Sequence, residues 1–266
     1  MNKTKGFQNK ILNWYYENGR HHLSFRKSQN SYHVHISEIM LSQTQVDRVE
    51  KYFQKWIEKY PTPKDVVQAS KSELLHMWQG LGYNSRVLNF QIACSQICEE
   101  FRGEYPKTKD ELMTLKGVGP YVASAICAFA YNQDIGVVDT NIRRILIYEG
   151  FATEDMKTKE LEEIAQNLVP KSKGREWTNA LMDYGALELT AKKAGIKSVG
   201  KQRKFVGSTR FIRSFIVKEC LTNGSILIED VEKECKKYNL NVNEIVEKMI
   251  KEGVVVEEEG VLRIVE

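Results

Sequence analysis

At 266 residues the chain has room for one large domain or two modest ones, and 42% hydrophobic against 28% charged residues is the make-up of an ordinary globular protein. No apolar run approaches the length of a bilayer span, and the opening Met1-Asn2-Lys3-Thr4-Lys5 lacks a signal-peptide core, so membrane and secreted classes are set aside and a cytoplasmic location is expected. The net charge of +4 is uneven: residues 207–266 hold 9 Lys and Arg against 12 Asp and Glu, a net of −3, which leaves 30 against 23, or +7, for residues 1–206. Contacts with a polyanion should therefore fall to the N-terminal part.

Helical periodicity runs from residue 7 to about 190, with no sustained period-two alternation before residue 224, so this part should be all-α. Phe7, Ile11, Leu12, Trp14 and Tyr15 form the apolar face of a first helix. Ile36, Ile39, Met40, Val46, Val49, Tyr52, Phe53 and Trp56 predict a helix starting near Tyr32, with one break before Val49. Leu74, Leu75, Met77 and Trp78, then Val87, Phe90, Ile92 and Ile97, supply two more, split by Gly80-Leu81-Gly82. From Ala191 to Ser208 the pattern dissolves into a basic, glycine-containing stretch. A helix (Arg210 to Leu221), a short strand (Ser225 to Ile228), two helices (Glu229 to Lys237 and Asn241 to Glu252) and a hairpin (Val254 to Val256, Val261 to Ile264) follow, the order of a winged-helix module. Five cysteines, at 94, 98, 127, 220 and 235, fit no disulfide framework or zinc spacing and read as free thiols.

Three short stretches carry chemistry. Leu115-Lys116-Gly117-Val118-Gly119-Pro120-Tyr121-Val122-Ala123 places a Gly-Val-Gly turn before a helix N-terminus, where backbone N–H groups can grip a phosphate. Glu38 sits among Ile36, Ile39, Met40 and Leu41. Facing inward, it would be desolvated and hold a proton near neutral pH, as a general acid must; facing outward, it is an ordinary solvated carboxylate. Asp139, in Val138-Asp139-Thr140-Asn141, precedes a helix through Ile142, Arg143, Ile145 and Leu146, so it reads equally as a helix N-cap and as a functional anion.

Taken together, Glu17-Asn18-Gly19-Arg20, the run Ser37 to Val46, Tyr60-Pro61, Trp78-Gln79-Gly80-Leu81-Gly82-Tyr83, the hairpin and Asp139-Thr140-Asn141 closely resemble MutY-type adenine DNA glycosylases, over roughly residues 7–190. The resemblance implies a mainly α, two-lobed helix-hairpin-helix glycosylase fold over residues 1–206, with a six-helix lobe at about 31–136 and a second lobe of 1–30 plus 137–206. A small α+β winged-helix-like domain over 207–266 would follow. It implies a monomer that flips a mispaired or damaged base out of double-stranded DNA and cuts its N-glycosidic bond.

Position by position, Glu38 matches the catalytic acid and Asp139 the carboxylate that stabilises the sugar cation, with Tyr121 and Asn141 beside them. Gln43, Thr44 and Tyr83 match DNA-contacting residues, Gln43 and Tyr83 as wedges in the base stack; Tyr83 also reads as an ordinary turn aromatic. Gly117, Val118, Gly119 and Tyr121 match the DNA-binding hairpin, which leaves room for a monovalent cation. Phe25, Arg26, Leu41 and Met182 match the base pocket. Tyr121 stands where the related endonuclease III enzymes carry a nucleophilic lysine, which implies glycosylase chemistry without a strand-cutting lyase step.

Departures from the pattern are as informative. The family's four iron-sulfur cysteines fall at Leu189, Ile196, Val199 and Phe205, so no cluster is expected, and the four apolar side chains suggest a hydrophobic plug in its place. The pocket's usual Pro-Trp reads Ser24-Phe25, and the family's domain for 8-oxoguanine opposite adenine is not evident. A mismatch thymine or uracil glycosylase, a modified-adenine glycosylase and a catalytically silent DNA-binding regulator remain as other readings.

Overall fold

The computed structural model describes residues 3–196 and 204–265. In chain order the helices are α1 (Lys3–Asn18), α2 (Ser24–Lys27), α3 (Ser31–Leu41), α4 (Val46–Lys59), α5 (Pro63–Gln68), α6 (Lys71–Trp78), α7 (Ser85–Glu100), α8 (Lys109–Leu112), α9 (Pro120–Phe129), α10 (Thr140–Tyr148), α11 (Thr158–Asn167), α12 (Gly174–Asp183) and α13 (Ala191–Ala194). Then come α14 (Thr209–Asn223), β1 (Ile226–Leu227), α15 (Ile228–Lys236), α16 (Val242–Lys251), β2 (Val255–Glu258) and β3 (Val261–Ile264). A π-helical turn, Tyr184–Glu188, follows α12 directly. No helix among the described residues is long and apolar enough to cross a membrane.

The caps are written in the sequence. Asn30 accepts from the Tyr32 N–H at the start of α3, Ser70 and Glu73 close a reciprocal box on α6, and Gly224 ends α14 in the left-handed region. The helix expected from Tyr32 onward is interrupted at residues 42–45, where Gln43 takes φ +64° and redirects the chain into α4. A non-glycine residue is uncommon in that conformation.

Contacts divide the chain into two compact units: Met1–Gln54 with Tyr105–Lys201, and Lys55–Glu104 with Gln202–Glu266. This division differs from the expected lobes. Residues 31–54 and 105–136 join 1–30 and 137–201, while 55–104 join the C-terminal segment, where α14 packs on α6. The first unit's core gathers Phe7, Ile11 and Leu12 of α1 with Ile142, Ile145 and Leu146 of α10 and Trp177 and Leu181 of α12. Burial of this apolar face holds α1, α10 and α12 together, at about 25 cal/mol per Å² removed from water. In the second unit Trp56 lies edge-on to Trp78 at 5.9 Å. Its C-terminal part is closed by an antiparallel sheet of order β1-β3-β2, with Ile226 opposite Leu262 and Val255 opposite Ile264.

Candidate active site

The first unit encloses a cavity of about 220 Å³. Its lining draws on the loop and helix before α3 (Arg20, Phe25, Arg26), on α3 (Ser37, Glu38, Leu41) and on Thr44. Tyr121 from α9, Asp139 and Asn141 at the head of α10, and Arg175, Asn179 and Met182 from α12 complete the wall. Residues separated by more than a hundred positions thus converge on one concavity, the usual form of a small-molecule or base site.

Glu38 faces inward: it is 5% exposed on the buried side of α3. Burial pushes its carboxyl up to about 7, against the Tyr121 hydroxyl, which donates to its Oε2 at 2.9 Å, and against the charge of Arg26. The nearby Asp139 carboxylate pushes the same way as burial. Glu38 therefore exchanges a proton near neutral pH, the condition for general acid work.

Asp139 fills the N-cap role that its position suggests and also lines the cavity. Its Oδ1 accepts from the Ile142 N–H at 2.7 Å and so caps α10, while its Oδ2 accepts from Asn141 Nδ2 at 3.1 Å. Burial raises its pKa, and these two donors oppose the rise by favouring the anion. Asn141 is held in turn by Arg144, which donates to its Oδ1 at 2.7 Å and to the Gly185 carbonyl at 2.6 Å. A Cβ on Gly185 would come within 2.7 Å of Asn141 Cβ, so only glycine permits the π-helical turn to approach α10 this closely.

Arg26 is fixed by Asp183, which is fully buried. Asp183 accepts from Arg26 Nη1 and Nη2 at 2.6 and 2.8 Å, and from Arg20 Nε and its backbone N–H at 2.7 and 2.8 Å. Burial alone would raise the Asp183 pKa; the two arginines outweigh it and hold the carboxyl below its usual range. Thr44 presents a buried hydroxyl with no hydrogen-bond partner among the described residues.

Other expected site residues lie outside this cavity lining. Gln43 is exposed in its left-handed turn. Gly117 has φ +78°, Val118 is buried with its N–H bonded to the Leu115 carbonyl at 3.1 Å, and Gly119 is the N-cap of α9 with Pro120 following. The Val118 N–H is thus spent inside the turn. Tyr83 belongs to the second unit, 41% exposed with φ +51°.

A model of HhH-GPD superfamily base excision DNA repair proteins matches residues 36–171, just over half of the chain. The chain belongs to this superfamily. The matched span holds Glu38, the hairpin and Asp139. Among curated relatives, the adenine DNA glycosylase of Mycolicibacterium smegmatis is 35% identical over 185 residues, 68% of this chain and 63% of the relative. Those of Rattus norvegicus and Homo sapiens are 33% and 34% identical over 238 and 201 residues, covering 82% and 71% of this chain but 46% and 37% of theirs. The chain thus spans between about a third and two thirds of the length of these relatives. Among solved structures, a thermostable thymine-DNA glycosylase is similar with a TM-score of 0.68 and 28% identity, over 72% of this chain and 89% of that one. An endonuclease III in non-covalent complex with DNA shares the fold with a TM-score of 0.64 and 24% identity, over 72% and 89%.

The positions where the superfamily resemblance would set cluster thiolates do not fit iron. Leu189 is buried hydrocarbon in the first unit's core, Ile196 is half-buried, and Val199 lies outside the described residues. Phe205 is 49% exposed, with its ring 5.8 Å from Phe211 in the second unit. Leu189 thus packs in the first unit's core and Phe205 against Phe211 in the second, and the apolar plug expected from the sequence depends in part on Val199, outside the described residues. Sequence reasoning also missed Asp183, Arg175 and Asn179. An acidic residue inside the apolar run Ala180-Leu181-Met182-Asp183-Tyr184 was the available signal for the first.

Proposed function

We propose that the chain is a monofunctional DNA glycosylase that removes mispaired or otherwise abnormal adenine from duplex DNA. The observation that carries the reading is a buried carboxyl, Glu38, poised at about pH 7 in the lining of the same cavity as Asp139. In the proposed mechanism Glu38 delivers its proton to a ring nitrogen of the flipped adenine. The bond from the sugar to N9 then breaks, its electron pair leaves with the base, and Asp139 stabilises the oxocarbenium ion until water adds. Tyr121 orients Glu38 through its hydroxyl and, lacking an amine, forms no Schiff base. Phe25, Leu41 and Met182 supply apolar walls for the base, and Arg26 and Asn179 supply polar edges.

Backbone at the Gly117–Gly119 hairpin would hold phosphate, and Gln43 and Tyr83 would enter the base stack. The order of elements from α14 to β3 and the β1-β3-β2 sheet support a winged-helix reading of residues 207–266.

A thymine glycosylase is the second reading, favoured by the 28% identical thermostable thymine-DNA glycosylase. Adenine is preferred on chemistry. A purine offers a basic ring nitrogen to a proton donor, whereas thymine departs as an anion with no such site. The pH dependence of single-turnover base release tests the proposal. An acid of pKa about 7 makes the rate fall as pH rises through neutrality. A rate that climbs steadily from pH 6 to 9 would exclude Glu38 as the proton donor.

A further inference from the structure

Residues 207–266 carry net negative charge, and the exposed positions of α16 mix Asn243, Glu244, Glu247, Lys248 and Lys251, so broad phosphate binding does not explain the module. Its first helical turn reaches something more specific. Ser208 caps α14, and the Phe211 ring lies edge-on to Phe205 at 5.8 Å and to Tyr238 at 5.5 Å, which fixes the direction of this turn. Arg210, between Ser208 and Phe211, extends to Tyr83. Its guanidinium carbon is 5.7 Å from the ring centroid, and its Nη1 donates to the Tyr83 hydroxyl at 3.3 Å.

On its own side Tyr83 meets Arg86, whose guanidinium carbon lies 5.5 Å from the same centroid and which donates to the Leu81 and Gly82 carbonyls at 2.9 Å each. Tyr83 is both exposed and left-handed, a conformation that persists only where its surroundings hold it. Two cations against one exposed aromatic ring are more than a surface turn needs, and they come from segments 127 residues apart.

We propose that Arg210 is a positioning residue for Tyr83, so that the C-terminal module assists base extrusion by holding the wedge aromatic and its turn in one conformation. This rests on the reading of Tyr83 as a residue that enters the base stack. A ring already held loses less freedom on insertion, and the gain appears as a faster extrusion step.

The test uses the full chain as wild type, Arg210→Ala, Arg210→Lys and Tyr83→Ala. Amide hydrogen exchange across residues 80–86 is measured in free protein. The extrusion rate is followed by fluorescence of 2-aminopurine placed at the target position of a duplex, and thermal unfolding is recorded for each variant. Arg210→Ala should speed exchange at Gly82 and Tyr83 and slow extrusion about threefold to fivefold, the scale of one cation–π contact, with the melting temperature lowered by no more than about 2–4 °C. Arg210→Lys, which keeps the cation, should recover most of both effects.

Tyr83→Ala slowing extrusion while Arg210→Ala matches wild type in exchange and rate would overturn the role of Arg210 alone. A melting temperature lowered equally by Ala and Lys at position 210 would make the residue structural and likewise overturn it. Extrusion unaffected by Tyr83→Ala would remove the wedge reading, and this proposal with it, while leaving base excision at Glu38 standing. A wild type that extrudes 2-aminopurine from no duplex would count against the glycosylase reading itself.

Discussion

Replacing Glu38 with Gln separates catalysis from stability and makes the two move in opposite directions. The glutamine keeps the shape and can still accept from the Tyr121 hydroxyl, but it has no proton to give, so base release should be abolished while duplex binding stays nearly intact. Stability follows from the raised pKa. An unfolded glutamate titrates near 4.5 and the folded one at about 7, so the folded state binds the proton more tightly. Its contribution is fully present below pH 4.5 and is lost as pH rises through 7, where the buried carboxyl ionises.

At 1.36 kcal/mol per pKa unit the swing is about 3 kcal/mol, and the amide escapes it. Glu38→Gln should therefore melt several degrees above wild type at pH 8.5, with the advantage vanishing at pH 4.5. Parallel thermal unfolding of both proteins at these two pH values reads the difference. A variant equal to or less stable than wild type at pH 8.5 would refute the inference that Glu38 is held protonated by burial.

Other substitutions probe its neighbours. Asp139→Asn keeps the N-cap oxygen for Ile142, so unfolding should change by no more than about 1 kcal/mol, while single-turnover base release should drop by a factor on the order of 10²–10³ for want of the anion. Tyr121→Phe removes the donor that lowers the Glu38 pKa, so the alkaline limb of the pH–rate profile should move to higher pH; a shift to lower pH would contradict the contact. Asp183→Asn leaves the Arg26 and Arg20 guanidiniums without their shared anion and should cost about 3–5 kcal/mol in denaturant unfolding, with cavity binding of the base weakened as Arg26 moves.

The legible parts of this chain are those set by short-range chemistry. Asp139 as the cap of an apolar-periodic helix, Pro120 after Gly119 and the element order from α14 to β3 follow from local spacing and capping, whereas spacing left Glu38 open between an inward and an outward face and only the surrounding motif pointed inward. Long-range partnership was not legible. Asp183 finds Arg26 at a separation of 157 residues and Arg210 finds Tyr83 at 127, and nothing in local periodicity marks such pairs. The grouping of 55–104 with 207–266 is of the same kind, since α6 and α14 present ordinary amphipathic faces that could pack elsewhere.

The most direct measurement of the central claim is single-turnover base release from duplexes carrying adenine opposite G, C or 8-oxoguanine, methylated adenine, and T or U opposite G, each scored for abasic sites after alkali. Release of adenine from at least one of these pairs, lost in Glu38→Gln, is the result expected. Release of thymine or uracil with every adenine left in place would contradict it.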